Sequence, residues 1–166
     1  VTDRSSRFTA TFDVPYSAGR LTAKSFVGGV EEANVTFTTA KQAQRLRLVP
    51  DREMIDASRS DLSYVVAEVV DAAGVIVTCE DESLDSKCEP PVVSFTVSGA
   101  GELEAVGSGD PIDPSSFKQP DRKTYRGRAT AIVRPGRAGE KPTAGEIMVR
   151  ATAKGLEEAS VTITVQ

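Results

Sequence analysis

"VPDREMIDASRSDLSYVVAEVVDAAG", residues 49–74, joins the end of one apolar strand to a charged stretch and then to a second, alternating strand that closes on a glycine. Pro50, Asp51, Asp56 and Asp61 are turn and cap chemistry. Ile55 and Ala57 are spaced for a brief strand contact and not for a helical stripe. The stretch therefore predicts a first strand that breaks and re-pairs, as a strand does when it crosses between the two sheets of a sandwich. Its charges are expected on a solvated edge, where they oppose edge-to-edge association.

Outward from this stretch, strands are everywhere and long helices nowhere. "RLRLVPD", "SYVVAEVVD", "VIVTCE", "PVVSFTVSG", "RGRATAIVRPG", "GEIMVRATAKG" and "ASVTITVQ" are seven short segments separated by Gly, Pro, Asp and Ser clusters. Seven such strands over about 120 residues predict an immunoglobulin-like β-sandwich, although the buried Trp and inter-sheet disulfide of antibody domains are missing. Before them, "RFTATFDVPY" alternates Phe8, Ala10, Phe12 and Val14 with polar residues and predicts a further strand. In "GRLTAKSFVGGVEEANVTFTTA", Leu21, Ala23 and Ser25 share a face with Ala33, Val35 and Phe37, and Gly28-Gly29 predicts a tight hairpin. The expected fold is all-β: three strands of an incomplete sandwich over 1–40, a connector at 41–45, and a complete sandwich over 46–166. A three-stranded sheet with one apolar face needs a cover. Residues 1–40 are therefore expected to complete a sandwich begun by other polypeptide.

Composition excludes several functions. The chain of 166 residues has a net charge of −4 and no broad basic field, which argues against nucleic acid. No apolar run approaches the ~20 residues of a membrane span. With no histidine, the commonest general base and zinc ligand are both missing. There is no tryptophan, and aromatics make up only 5% of residues, few for a face that stacks sugar rings. The few Phe and Tyr sit mostly in strand patterns, where burial is the expectation.

Several separate blocks resemble the C-terminal immunoglobulin-like domain of glycoside hydrolase family 2 enzymes of the β-galactosidase type. They are Asp51-Arg52, Ile55, Ala57 and "DLSYVVAEVVDAAG"; "VSFTVSGAGELEAVGSGDP" at 93–111; Phe117; "YRGRATAIVRP" at 125–135; and "AGEIMVRATAKGL" at 144–156. "FDVPYSAGRLTAKSF", at 12–26, looks like the closing strands of the immunoglobulin-like domain that precedes it in such enzymes. The resemblance implies a non-catalytic accessory module without a cofactor, supporting a catalytic barrel or its cleft. Its partner would be the rest of the parent glycosidase, or another chain, covering residues 1–40, with glycan reached only through the parent. Family catalysis belongs to a barrel with two glutamates, and no residue here takes that role. The alternatives are a carbohydrate-binding or a cell-surface adhesion β-sandwich. Two departures stand out: the long "CEDESLDSKCEPP" before the "VSF" strand, and Gly107-Ser108-Gly109-Asp110 where the family often has a Gly-Asn-Gly-Asp type of loop.

Few residues are candidates for chemistry. Gly99, Gly101, Gly107 and Gly109 suit tight reversals and close backbone approach. Strand-like flanks, with no following helix, argue against a phosphate cradle there. Glu31-Glu32 and Glu157-Glu158 are neighbours that point to opposite strand faces, so neither is a catalytic pair. Cys79 and Cys88 enclose eight residues and are expected to be disulfide-bonded, which would place the protein outside the cytoplasm, secreted or periplasmic. The competing states are free thiols or half of a metal site that lacks further ligands. Between them Glu80, Asp81, Glu82 and Asp85 cluster without the spacing of a calcium loop, so a solvated acidic loop is expected and no metal site. Asn34, the sole asparagine, heads the sequon Asn34-Val35-Thr36 and alternates outward, an acceptor where the source secretes through an endoplasmic reticulum.

Overall fold

The computed structural model describes residues 7–79 and 89–166. Among them there are eleven strands and no helix. Contacts divide the chain into two compact units, Val1–Thr39 and Ala40–Gln166.

In the second unit, β3 (Arg45–Pro50), β5 (Ser63–Val70), β9 (Arg128–Pro135) and β7 (Gly101–Gly107) form one sheet in the order β3-β5-β9-β7. The other sheet has the order β4-β11-β10-β6-β8, built from β4 (Met54–Ile55), β11 (Ala159–Val165), β10 (Gly145–Ala153), β6 (Val92–Gly99) and β8 (Asp121–Lys123). Sheet orders β3-β5-β9-β7 and β11-β10-β6 correspond to the ABED and GFC sheets of an immunoglobulin-like sandwich. Alternation decides which side chains meet between them. Val65, Ala67 and Val69 of β5 and Ala129, Ala131 and Val133 of β9 face Val93 and Phe95 of β6, Ile147 and Val149 of β10, and Ile163 of β11; all are buried. Burying a large aliphatic or aromatic side chain contributes roughly 1.5–3 kcal/mol, so this inner layer holds the unit together.

The opening stretch behaves as its sequence predicts. β3 pairs antiparallel with β5, and after Pro50 the chain leaves that sheet. Four residues on, Met54 and Ile55 pair in parallel with Thr164 and Val165 of β11 in the opposite sheet. The N–H of Thr164 donates to the Glu53 carbonyl at 2.8 Å, and that of Gln166 to the Ile55 carbonyl at 3.0 Å. Ile55 enters the core at 2% exposure. The strand thus serves both sheets.

Three expectations are corrected. "VIVTCE", as far as it is described (75–79), is not a strand: Ile76 makes only an isolated bridge to Val70. The Asp71 carboxylate takes the N–H groups of Ala73 and Val75, each at 2.9 Å, and folds the segment tightly back on the end of β5. Its place among the seven is taken by "GELEAVG", which forms β7 despite its glycines. "RFTATFDVPY" joins no ladder, because no described backbone lies alongside to exchange hydrogen bonds with it.

In the first unit β1 (Arg20–Val27) and β2 (Val30–Thr38) form a two-stranded antiparallel sheet. Gly28 and Gly29 turn it with φ of 59° and 84°, the doubly positive geometry of a tight hairpin. Leu21 opposes Phe37 and Ala23 opposes Val35, so the expected apolar face is formed. The third correction concerns the aromatics, which were expected to be buried. Only Phe95 is in the core, whereas Phe8, Phe12, Tyr16, Phe26 and Phe37 of the first unit are all more than half exposed. Among the described residues of that unit, the two strands have no second layer to bury them under.

Candidate functional site

The most constructed polar feature of the second unit surrounds Arg122, the middle residue of β8. A guanidinium in a core demands partners on every side; the loop between β7 and β8, with Val106 of β7, supplies them to both terminal nitrogens, while the buried Nε has none among the described residues. The Nη1 of Arg122 donates to Asp113 Oδ2 at 2.7 Å, and Nη2 to the carbonyl of Ser116 at 2.8 Å and of Val106 at 3.3 Å. The Arg122 side chain is 2% exposed. Phe117 covers it, the ring centroid 5.4 Å from the guanidinium carbon, and the Phe117 carbonyl accepts the N–H of Val106 at 2.8 Å. Gly107 runs under the same ring, where an added Cβ would sit 3.7 Å away. Hydrogen bonds from Ser115, side chain and main chain, together with Arg122 hold the Asp113 carboxyl down at about 2. The loop is therefore pinned by a charged pair.

The remaining perturbed carboxyls behave alike. Glu102 is lowered by its bond from Arg59, and Glu104 by its bond from Lys118 and then by the charge of Arg134. Asp61 is lowered by the N–H of Asp56 and by Arg52. Asp71 is lowered by the N–H groups of Lys41, Val75 and Ala73, and so ties the connector between the units to the end of β5. A glycosidase acid needs the opposite, a carboxyl raised so that it carries a proton at working pH. Among the described residues, every resolved carboxyl shift runs downward.

Among the described residues the sequence-predicted positions gather into no common site, although Asn34 and Glu31 meet. Asn34 lies exposed in β2 and donates to Glu31 Oε1 at 2.9 Å, while Glu31 also pairs with Lys24 at 2.7 Å. Glu158 pairs with Arg150 across the β10–β11 ladder. Cys79 is not a free thiol. Cys88, with Glu80, Asp81, Glu82 and Asp85, lies outside the described residues. Gly99 and Gly101 do meet close backbone, since an added Cβ would lie 2.1 Å from the Glu146 carbonyl oxygen and 2.5 Å from that of Arg134, respectively. Sequence reasoning missed the Arg122 cluster. The one available signal was a lone arginine flanked by charges, in a segment that reads as loop.

Fold and site together define a β-sandwich module whose most ordered polar feature is a loop pinned on Arg122. Residues 46–162 match the family model described as glycoside hydrolase family 2 C-terminal domain 5, and the chain belongs to that family. It is 28% identical over 153 residues to the beta-galactosidase BoGH2A of Bacteroides ovatus, covering 92% of this chain and 16% of that protein. A putative beta-glucuronidase of Formosa agariphila is 25% identical over 122 residues, 73% of this chain and 11% of that one. Among solved structures, a glycosyl hydrolase family 2 member from Bacteroides cellulosilyticus superposes with a TM-score of 0.81 at 34% identity, covering 99% of this chain and 19% of that one. The chain thus spans under a fifth of the length of these relatives.

Proposed function

We propose that this chain is the non-catalytic C-terminal part of a β-glycosidase of the β-galactosidase type, where it supports the catalytic barrel or the wall of its cleft. The observation that carries this is the family match over 46–162 in relatives several times longer. Acid chemistry agrees: the resolved carboxyls are locked in the charged form by arginines, lysines and main-chain N–H groups. Residues 1–40 are the closing part of a preceding sandwich in the same parent, 41–45 the connector, and 46–166 the terminal module. The Cys79–Cys88 bond and an extracytoplasmic location belong to the same proposal.

The test compares the purified 166-residue chain with the natural full-length protein on chromogenic β-galactoside and β-glucuronide. The full-length protein is expected to turn over at least one of them. The isolated chain is expected to turn over neither above the uncatalysed rate. Turnover by the rigorously pure chain overturns the assignment.

A further inference from the structure

The first unit carries two apolar patterns that nothing else described in that unit covers. Phe8, Phe12, Val14 and Tyr16 recur at even positions with exposures of 57–78%, while Thr9, Thr11 and Asp13 stand between them. On the hairpin, Leu21, Val35 and Phe37 share one face at 48–65% exposure. Up to the register shift between Ser25 and Phe26, the opposite face of the hairpin is polar and tied to itself. The hydroxyls of Thr22 and Thr36 bond at 2.8 Å, and Lys24 and Asn34 both reach Glu31. A hairpin with one self-satisfied polar face and one bare apolar face is the outer layer of a sandwich.

Resting on the reading above that the chain is the tail of a longer glycosidase, we infer that residues 8–14 form a strand of the sheet facing β1–β2, paired to backbone from the preceding part of that polypeptide. The second unit contains the pattern entire. β9 lies in one sheet, and the next two strands, β10 and β11, form an antiparallel pair in the other. These are the E, F and G positions of an immunoglobulin-like sandwich. In the first unit an alternating stretch is likewise followed by an antiparallel pair, β1–β2.

Local geometry favours opposite sheets over one. Gly19 closes the base of the hairpin with Thr39, accepting its N–H at 2.8 Å and donating to its hydroxyl at 3.0 Å, so residues before Gly19 fall outside the ladder. β1 pairs with β2 and with no other described strand. Residues 15–19, at about 3.3 Å each, reach about 16 Å, which is enough to cross the ~10 Å between packed sheets. The occupant is the same polypeptide, because the relatives extend far beyond the span matched here. Their missing length is ample for the remaining strands.

Hydrogen exchange on the natural full-length protein and on the 166-residue chain tests this. In the full-length protein the amides of 8–14 are expected to exchange on the order of 100-fold more slowly than in the isolated chain, together with those of 20–38. Slowing of 20–38 alone overturns the strand inference and leaves the module reading standing. Slowing of neither overturns both, with no occupant on the hairpin. A cysteine pair separates one sheet from two. If 8–14 paired with β1 so as to match apolar faces, position 12 would oppose position 23. Phe12→Cys with Ala23→Cys is then expected not to close on oxidation of the full-length protein, whereas the paired control, Ala23→Cys with Val35→Cys, closes. Closure of the 12–23 pair overturns the inference.

Discussion

Asp51 and Tyr64 form a ladder pair in which a side chain replaces a carbonyl. The Asp51 N–H donates to the Tyr64 carbonyl at 2.9 Å, but the return bond, from the Tyr64 N–H, goes to Asp51 Oδ1 at 2.7 Å. The Asp51 carboxylate thus satisfies the last partner on β5 while its own backbone turns away toward the other sheet. The Ser63 hydroxyl donates at 2.7 Å to the carbonyl of the next residue, Arg52, and fixes the exit. The charge that fills this stretch does the work of a strand that has left.

Asp51→Ala is accordingly expected to destabilise the sandwich by about 0.5–1.5 kcal/mol, the net value of one hydrogen bond at a partly exposed site. Asp51→Asn keeps an acceptor oxygen and is expected to recover most of the loss. Urea midpoints of the three proteins decide it, and equal midpoints for Ala and wild type would refute the role.

Gly101 and Gly109 separate two reasons for a glycine. At Gly101 an added Cβ would lie 2.5 Å from the Arg134 carbonyl oxygen and 2.5 Å from Ile147 Cδ1, both held in place by the core. At Gly109 the φ of +78° is strained for other residues, but nothing lies within 4 Å. Gly101→Ala is expected to cost about 1–3 kcal/mol by overpacking, or more if the strands must part, and Gly109→Ala about 1–2 kcal/mol from the left-handed backbone alone. Denaturant unfolding at unchanged m-value tests the order. The reverse order would show that the β7–β10 approach is looser than described.

Much of this was legible in the chain. The shared face of Leu21 and Phe37 followed from alternation within each strand, although a register shift between Ser25 and Phe26 was needed to set them opposite each other, and the crossing from β3 to β4 followed from Pro50 and the spacing of Ile55 and Ala57. β7 was not legible, because its inner residues are half-buried on both faces and a register shift between Leu103 and Ala105 breaks the period of two. β8 was hidden by its own chemistry. Its buried residue is an arginine, and a charge in mid-strand reads as loop until Asp113, nine positions earlier, is seen beside it. The aromatics misled for a different reason. Phe8, Phe12 and Phe37 carry a core pattern whose other layer is not among the described residues.

Cys79 and Cys88 are expected to be found linked in natively prepared protein. Closing so short a loop stabilises by about 2–3 kcal/mol on the chain-entropy account, so reduction should lower the unfolding midpoint without changing the fold. Non-reducing peptide mapping is the direct check. Two free thiols would remove the argument for an oxidising compartment.

Asp113 makes the pinned loop sensitive to acid in a defined direction. Its folded carboxyl titrates at about 2 against an ordinary value of 3.8, held down by Ser115 and Arg122. A depressed carboxyl contributes stability that is complete above its unfolded value and lost as pH falls toward its folded one. The stability gap between wild type and Asp113→Asn is therefore expected to be constant from neutrality to about pH 5. It should shrink below about pH 4, with about half gone near pH 3. Arginine stays charged throughout, so the loss belongs to the carboxylate alone. Urea unfolding of both proteins at pH 7, 5 and 3 measures it. A gap that held its full size at pH 3, or widened, would mean that the Arg122 pairing contributes nothing to folding and that Phe117 and the main-chain bonds hold the loop without it.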